Sequence, residues 1–490
     1  MIELLIVFFL CSSLAYYVKF RRSRKRMYEL AAKIPGPFDL PLIGSSYMGY
    51  GLNSTQITEY LLQFMHSIPT PMRGWLGPFL VVIFDKPEHL SVILNSQSCV
   101  QKSPLYKFFR FEKGIIFTER NLWRLLRKRL NPTFSSQTVR SFVPVFDTEA
   151  DRMVDQLDQF VGKEAFDILP KTSVYTISAT LTNLMKVHMH TDDIEYKEEF
   201  ADNAEKMWIL LFRRIYKPWL FPEFIYRLTP EFKRESKRIA QLQDLSREVY
   251  EARLATKPNF SESGSPSEEV LIERLEQMFF KTGEIDHATM MNNIDTFLFA
   301  SNDTTTNVIA NSLLMMAMHP AVQERAYQEV LEIVPSGAIT AEDLSKLVYL
   351  EMVIKETMRL IPVAPIITRT CEEELQVDQW TIPAGAIVAM PIMKIHRDRS
   401  IWGERSEDFD PDNFLPEKCA QRNPYAYLPF SSGLRNCIGM RYAWVALKVA
   451  LAKLIRRYRF STDLKMEDIK FEASLVLLLS NKHMMRIEWR

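Results

Sequence analysis

The chain has 490 residues, a hydrophobic fraction of 47% and a formal net charge of +1 at pH 7. This composition supplies a large core, and a nearly neutral chain offers no overall attraction to nucleic acid. No break in composition divides the sequence, which favours one large domain over several small ones.

The five cysteines show neither Cys-x-x-Cys spacing nor an accompanying histidine cluster. This distribution argues against a zinc site and against the disulfide framework of a small secreted protein. It favours a reducing compartment for the main folded part of the chain.

The N-terminus predicts a membrane anchor. Residues 4–18 are uncharged and mostly apolar, and a basic run follows at residues 21–26. A bilayer span needs about 20 residues, and basic residues after a span stay on the cytoplasmic side. We expect a signal-anchor helix over residues 1–20, with the rest of the chain in the cytosol. A cleaved signal peptide is the alternative.

A stiff connector follows the anchor, because Pro35, Pro37 and Pro41 fix the backbone and remove hydrogen-bond donors. We interpret residues 21–45 as a basic stop and a proline-rich hinge, and residues 46–490 as the main domain. Within that domain, residues 80–84 read as a short strand.

Trp123 and Arg127 share one face of a helix that ends at Asn131 and Pro132. An indole N–H and a guanidinium placed in this way could hold one carboxylate together. The pattern is weak by itself.

Residues 207–212 and 219–224 are unusually apolar and aromatic, with basic residues between them. Tryptophan next to basic residues is typical of a membrane interface, and a buried helix is the alternative. Residues 259–269 are rich in serine, glycine and proline and predict an exposed loop.

Residues 286–318 read as one long helix with apolar ends and a polar centre at residues 302–307. Six polar residues at the centre of a buried helix would leave groups unsatisfied in a dry core. We interpret the polar run as the lining of a wet, functional cavity.

Glu356 and Arg359 are spaced to share a helical face among apolar neighbours, which makes a buried ion pair plausible. Residues 381–388 predict a hairpin. The apolar run at 471–480 reads as a strand, either packed in the core or projecting into the site.

Phe430 to Gly439 form a glycine-bearing loop that places one cysteine ahead of a helix predicted from about residue 438 to residue 457. Gly433 permits a tight turn, and Gly439 lets the backbone approach something flat. A helix N-terminus favours the thiolate form of Cys437. Arg435 is placed to meet a carboxylate. Such a loop is suited to presenting one thiolate to a haem iron.

This stretch resembles the haem-binding signature of the cytochrome P450 family of haem-thiolate monooxygenases. The defining positions present are Phe430, Gly433, Arg435, Cys437 and Gly439. The resemblance extends in order through the anchor, the hinge, the Trp-x-x-x-Arg pair, the polar helix, the Glu-x-x-Arg pair and the cysteine loop. It implies a mainly α fold with small β-sheets (α+β), built around the long oxygen-binding helix.

The resemblance also implies haem b, held without a covalent bond to the porphyrin and with Cys437 as the axial ligand and metal-binding residue. The expected cofactor-binding residues are Cys437, Trp123, Arg127, Arg369, Arg435, Phe430, Gly439 and Ala300. The aromatic segment 99–117 is then either core or the lining of the substrate cavity. Glu356 and Arg359 take a structural role behind the haem.

Thr304 and Asp303 match the positions that supply protons during oxygen activation in the family, and they are the expected catalytic residues. The amino-acid sequence at residues 409–414 resembles that of the insect and vertebrate fatty-acid ω-hydroxylase branch. Three departures stand out. Ser301 replaces a glycine, Ala300 replaces the glutamate that bonds to haem in many of those enzymes, and Asn413 stands where many members have arginine.

The implied reaction inserts one atom of O₂ into a small hydrophobic substrate such as a fatty acid, hormone, steroid, terpenoid or xenobiotic. The chain has no glycine-rich dinucleotide fingerprint, so electrons are expected from NADPH through the partner NADPH–cytochrome P450 reductase, with cytochrome b5 as a second candidate donor. The expected location is the endoplasmic reticulum membrane. Arg127, Lys128, Arg129, Arg422, Arg441 and Lys448 could form a basic docking face for the donor, and the alternative is that they serve the propionates and solvation.

Two alternatives remain open from the sequence. One is a haem-thiolate isomerase or dehydratase of peroxides that needs no reductase. The other is a non-catalytic haem or lipid binder.

Overall fold

The computed structural model describes residues 2–67, 69–188, 194–255, 269–472, 474 and 476–490. The loop predicted over 259–269 lies, up to residue 268, outside the described residues.

The predicted architecture, mainly helical with small sheets, is confirmed. The α-helices are α1 (Ile2–Ser23), α2 (Lys25–Ala31), α3 (Ser54–Ser67), α4 (Pro87–Asn95), α5 (Arg120–Leu130), α6 (Ser136–Ser141), α7 (Val143–Leu157), α8 (Leu169–Met185), α9 (Ile194–Ile215), α10 (Glu223–Tyr226), α11 (Pro230–Ala255), α12 (Leu271–Glu276), α13 (His287–Met318), α14 (Pro320–Ile333), α15 (Ala341–Lys346), α16 (Val348–Leu360), α17 (Ile392–Ile395), α18 (Arg399–Trp402), α19 (Pro416–Gln421) and α20 (Met440–Arg457).

The strands are short and form four small sheets. They are β1 (Met72–Leu76), β2 (Phe79–Ile83), β3 (Phe166–Asp167), β4 (Ile367–Thr370), β5 (Leu375–Val377), β6 (Trp380–Ile382), β7 (Ile387–Met390), β8 (Tyr458–Ser461), β9 (Phe471–Glu472), β10 (Leu478–Leu479) and β11 (Met484–Trp489). The largest sheet has the order β1-β2-β7-β4, in which only β2 and β7 run parallel. The others are β3-β11-β8, β5-β6 and β9-β10.

The predicted hairpin over residues 381–388 is wrong. Its first half, β6, pairs with β5, whereas its second half, β7, joins β2 and β4 in the large sheet. A turn at Gly385 separates the two halves and directs them into different sheets. The sequence around Gly385 therefore predicted the position of the turn, but it did not predict which strands pair with β6 and β7.

Helix α13 crosses the middle of the molecule and packs against α8, α9, α11, α16 and α20. Its N-terminus is capped by Asp286, whose carboxylate accepts the Thr289 N–H at 2.8 Å, and its C-terminus lies just before Pro320. A helix that is apolar on most sides of both ends needs such complete burial. The sequence predicted both ends correctly.

The N-terminal region has two parts. Helix α1 covers the segment predicted as an anchor, and within the described ranges no helix is long and apolar enough to cross a membrane. Helix α2 joins a second core beneath the large sheet, where Met27 and Ala31 are buried and Tyr28 stacks on Trp75 at 4.6 Å between ring centroids.

The segment at residues 207–212 is mostly core, so the interface interpretation is wrong for it. Met207, Trp208 and Leu211 on α9 are buried against the main core. The second segment differs, because Trp219 and Phe224 are exposed by 44% and 72%.

Candidate active site

The cysteine loop is fixed by a close approach to α4. Gly433 has φ +68°, and a Cβ there would lie 2.0 Å from the carbonyl oxygen of Leu94, so only glycine fits. The Cys437 N–H donates to the Phe430 carbonyl at 3.0 Å and closes the loop. Helix α20 begins at Met440, slightly later than predicted.

The Cys437 side chain has accessible surface although its surroundings are protein. Burial raises the pKa of the thiol, while the backbone N–H of Gly439 and the Arg127 guanidinium lower it. A thiol that is surrounded by protein and still has accessible surface borders an internal space. Apart from Gly439 and its chain neighbours, no described atom lies within 4 Å of the position that a Cβ on Gly439 would take, so open space also adjoins that residue.

Arg435 is a buried cation whose hydrogen-bonding capacity is not used up. Its Nη2 donates to the Thr118 carbonyl at 2.8 Å, but Nε and Nη1 have no partner among the described residues. Burial, followed by the charge of Arg369, lowers the pKa of the Arg435 guanidinium to about 9. A buried charge with open donors is costly unless an anion joins it.

Arg369 and Lys102 complete a cluster of positive charge. Arg369 is buried on β4 and donates to the Thr368 carbonyl at 2.9 Å and to Ser431 Oγ at 3.2 Å. Burial lowers the pKa of Arg369, and burial together with the charges of Arg369 and Arg435 holds the pKa of the Lys102 ammonium well below its usual value. Sequence reasoning missed Lys102, because nothing in its local pattern marks it.

The side chains of Trp123 and Arg127, which the sequence predicts as a pair, contact different neighbours. The Trp123 ring lies beneath Arg435, with 4.8 Å between the ring centroid and the guanidinium carbon. Arg127 reaches the cysteine loop instead, donating to the carbonyl and to the side-chain oxygen of Asn436 at 2.7 and 2.6 Å. Both residues lie at the cation cluster, where each contacts a different neighbour.

At the middle of α13, Thr304 is exposed while the residues on both sides of it are buried. An exposed side chain at the centre of a core helix faces an internal space, and Ala300 borders the same side one turn earlier. The Thr304 hydroxyl donates to the Ala300 carbonyl at 2.8 Å. Asp303 points elsewhere and is buried, with its carboxylate accepting a hydrogen bond from the indole N–H of Trp208.

The rest of the polar run does not line a wet cavity, so that interpretation is corrected. The side-chain oxygen of Asn302 accepts from Ser173 at 3.1 Å and from Thr176 at 2.6 Å on α8, and Thr176 also contacts Thr306 at 2.6 Å. These polar groups satisfy one another between two buried helices. Ser301 turns away similarly, donating to the Phe297 carbonyl at 2.6 Å.

Comparison with known proteins agrees with this geometry. The family model of cytochrome P450 matches residues 34–487. This chain belongs to the cytochrome P450 family. The members of this family are monooxygenase oxidoreductases with a haem-thiolate centre, and the chain is an enzyme of that class.

Several P450s similar to this chain come from insects. It is 29% identical to "Probable cytochrome P450 313a4" of Drosophila melanogaster over 97% of each chain. It is 31% identical to "Cytochrome P450 4c21" of Blattella germanica over 92% of each, and 28% identical to "Cytochrome P450 4c3" of Drosophila melanogaster over 96% of this chain and 92% of that one.

The Glu-x-x-Arg pair of this P450 is a buried ion pair whose hydrogen-bond donors all have protein partners. Glu356 and Arg359 are fully buried and joined by two hydrogen bonds of 2.7 Å. The remaining Arg359 donors reach the carbonyls of His396, Ser406 and Asp408 at 2.5 to 2.9 Å. Asn413, the departure from the family pattern, donates to Glu356 at 3.0 Å.

An apolar cavity of about 270 Å³ lies between the large sheet and the end of α9. Phe109 and Phe212 line it on one side, and Thr368, next to Arg369, lines it on another. Within the aromatic segment 99–117, Phe109 lines this apolar cavity, whereas Phe111 and Phe117 pack in the core.

The predicted basic docking face contains few free charges. Lys448 is buried and bonded to Glu351 at 2.6 Å, Arg422 lies over the Trp402 ring, and Arg129 pairs with Glu284. Lys128 and Arg441 are exposed.

Proposed function

We propose that this P450 is a membrane-attached haem-thiolate monooxygenase that inserts one atom of O₂ into a small hydrophobic substrate, using electrons from NADPH delivered by a reductase. The observation that carries the proposal is the buried cation cluster beside the cysteine loop, above all the two unpartnered donors of Arg435. Haem b has two carboxylates, which match such a cluster in charge and in hydrogen-bonding need.

The residues fit haem b as follows. Cys437 would bind the haem iron, and a thiolate ligand would supply the electron density that favours O–O cleavage. Arg435, Arg369 and the adjacent Lys102 would meet the propionates, with Trp123 and Arg127 supporting the same region. Phe430, Gly439 and Ala300 would border the porphyrin. Ala300 has no carboxyl group to form an ester, which supports a non-covalent porphyrin.

Thr304 and Asp303 would supply protons. The Thr304 hydroxyl borders the internal space and can orient a water there. Asp303 is buried one residue away, where burial raises the pKa of its carboxyl to about 7. A carboxyl that titrates near neutral pH is suited to giving and regaining protons.

The electron donor would be NADPH–cytochrome P450 reductase, with cytochrome b5 as a second candidate. The exposed Lys128 and Arg441 lie on α5 and α20, which adjoin the cysteine loop, and they are the basic groups from which a docking face would be built. A reductase whose acidic surface faces them would be placed near the haem edge.

The substrate would be a compact hydrophobic molecule of the fatty-acid, hormone, steroid, terpenoid or xenobiotic kind. The mainly apolar cavity of about 270 Å³ supports this class. The resemblance of residues 409–414 supports a place near the fatty-acid ω-hydroxylase branch, whereas Ala300, in place of the glutamate of that branch, argues against its terminal-carbon selectivity.

We also propose attachment to the endoplasmic reticulum membrane, with the main domain in the cytosol. The apolar residues of α1 and the basic run after it support an anchor. Exposed apolar side chains on the domain support a second contact; they are Phe38, Leu42, Tyr50, Trp219, Phe224 and Leu228. Flotation of the full chain and of a chain lacking residues 2–26 on phospholipid vesicles tests both contacts, and a full chain that stays with the soluble fraction would disprove attachment.

The deciding experiment is the difference spectrum of the dithionite-reduced protein with carbon monoxide. We expect a strongly red-shifted Soret band from thiolate ligation, lost in Cys437→Ser. A band typical of histidine-ligated haem, or no haem in well-folded protein, would overturn the proposal. Product that forms from peroxide substrates without NADPH or reductase would favour the isomerase alternative.

A further inference from the structure

The carboxyl of Asp303 is held by a residue of another helix. The indole N–H of Trp208 on α9 donates to one carboxylate oxygen, and the side-chain nitrogen of Asn302 lies 3.4 Å from the other. Thr304, the next residue of α13, faces the internal space instead. The acid and the hydroxyl therefore start on different sides of the helix.

Trp208 is itself fixed by its neighbours. Its side chain is buried, and its ring lies 5.5 Å from that of Phe109 and 5.2 Å from that of Phe299, measured between centroids. Phe109 lines the apolar cavity between the large sheet and α9, as does Phe212, one turn after Trp208. The indole thus connects the cavity wall to the buried acid.

We propose that Trp208 is a positioning residue, whose indole N–H holds the Asp303 carboxyl at the contact between α9 and α13 and supports it when it is ionised. This inference rests on the proposed function, in which Asp303 supplies protons. When Asp303 gives up its proton it becomes a carboxylate, and the indole hydrogen bond stabilises that charge until a proton from water restores the acid.

The electrostatics of the site agree with this role. Burial raises the pKa of Asp303 to about 7, and the hydrogen bonds from Trp208 and Asn302 oppose that rise. The titratable group that faces Asp303 is Glu205, one turn before Trp208 on α9, whose negative charge raises the pKa further. Loss of the indole donor should therefore raise the pKa of Asp303, because a donor favours the charged form.

The test is an infrared pH titration of the full-length holoprotein, following the carbonyl stretch of protonated carboxylic acids. The band that disappears in Asp303→Asn identifies Asp303. In Trp208→Phe, which keeps an aromatic ring, we expect the midpoint of that band to move up by about one pH unit or more, the size of a hydrogen bond to an ionised group. Phe109→Leu disturbs the packing of the indole but keeps its donor, and should leave the midpoint in place.

A second readout is the share of NADPH electrons recovered as hydrogen peroxide with the reductase, which we expect to rise severalfold in Trp208→Phe. An Asp303 band whose midpoint is the same in wild type and Trp208→Phe overturns the proposal. A midpoint shift of equal size in Phe109→Leu also overturns it, because packing would then be the cause. If Asp303→Asn leaves peroxide release unchanged, the proton role of Asp303 in the proposed function fails, whatever the infrared result.

Discussion

Two buried arginines of this P450 differ in how fully the protein satisfies their hydrogen-bond donors. Arg359 on α16 pairs with Glu356 and uses its other donors on three backbone carbonyls, so the protein alone satisfies it. Arg435 in the cysteine loop has two donors without a partner among the residues that the structure describes, and burial lowers its pKa to about 9. The first is complete as folded, whereas the second is complete only with an anion. The contrast separates a structural ion pair from a ligand site without reference to any relative.

The largest effect should come from breaking the complete pair. Glu356→Gln leaves the Arg359 charge buried without its counter-ion, which costs about 3–5 kcal/mol of unfolding free energy. Urea unfolding of the purified holoprotein measures it. The matched control is Glu324→Gln, which removes a pair with Arg490 on a half-exposed carboxylate and should cost at most about 1 kcal/mol. Equal losses in the two variants would contradict the structural role of the pair.

Asp303 is an intermediate case, because both of its carboxylate oxygens accept hydrogen bonds but burial still raises the pKa of the carboxyl. Its folded-state pKa of about 7 lies above the ordinary value of 3.8, so it is protonated in the folded protein and ionised in the unfolded chain between those values. The stability of wild type should therefore fall as pH rises through that window. Asp303→Asn removes this loss.

Between pH 5 and pH 8, Asp303→Asn should gain about 2–3 kcal/mol of unfolding free energy relative to wild type. Unfolding at the two pH values measures the gain. The exposed Asp244→Asn serves as the control and should show no such trend. A constant difference between Asp303→Asn and wild type across the range would mean that Asp303 is ionised in the folded protein.

Arg435→Met should act on haem retention more than on folding. It removes a buried charge and, with it, the propionate contact proposed for Arg435. The rate of haem loss to a haem-free globin should therefore rise about tenfold, the size of one hydrogen bond to a charged group. Arg405→Gln, on the surface, is the control. Unchanged haem loss in Arg435→Met would show that the open donors serve another anion.

Thr304→Ala should have the smallest effect on stability, at about 0.5 kcal/mol or less, because the side chain faces open space and bonds only its own helix. Its effect should appear in function, as a larger share of NADPH electrons released as peroxide. Thr305→Ala, at a buried neighbouring position, is the control for α13 itself. Unchanged coupling in Thr304→Ala would remove Thr304 from the proton path.

The sequence predicted the features that depend on neighbouring residues. The bounds of α13 follow from the Asp286 cap and Pro320, and the Glu356–Arg359 contact follows from helical spacing. The cysteine loop followed from Gly433 and the helix after it. These patterns also carried the resemblance to the P450 family, which the family match confirms.

What the sequence left open depends on partners far away in the chain. It could not tell that Asn302 and Thr306 bond to α8 while Thr304 faces a space, because all three are polar residues in one helix. It could not pair Asp303 with Trp208, 95 residues earlier, or bring Lys102 to Arg369 and Arg435. Sequence spacing fixes which residues share a face of one element, but only tertiary packing decides what that face meets and which buried charges are left to a ligand.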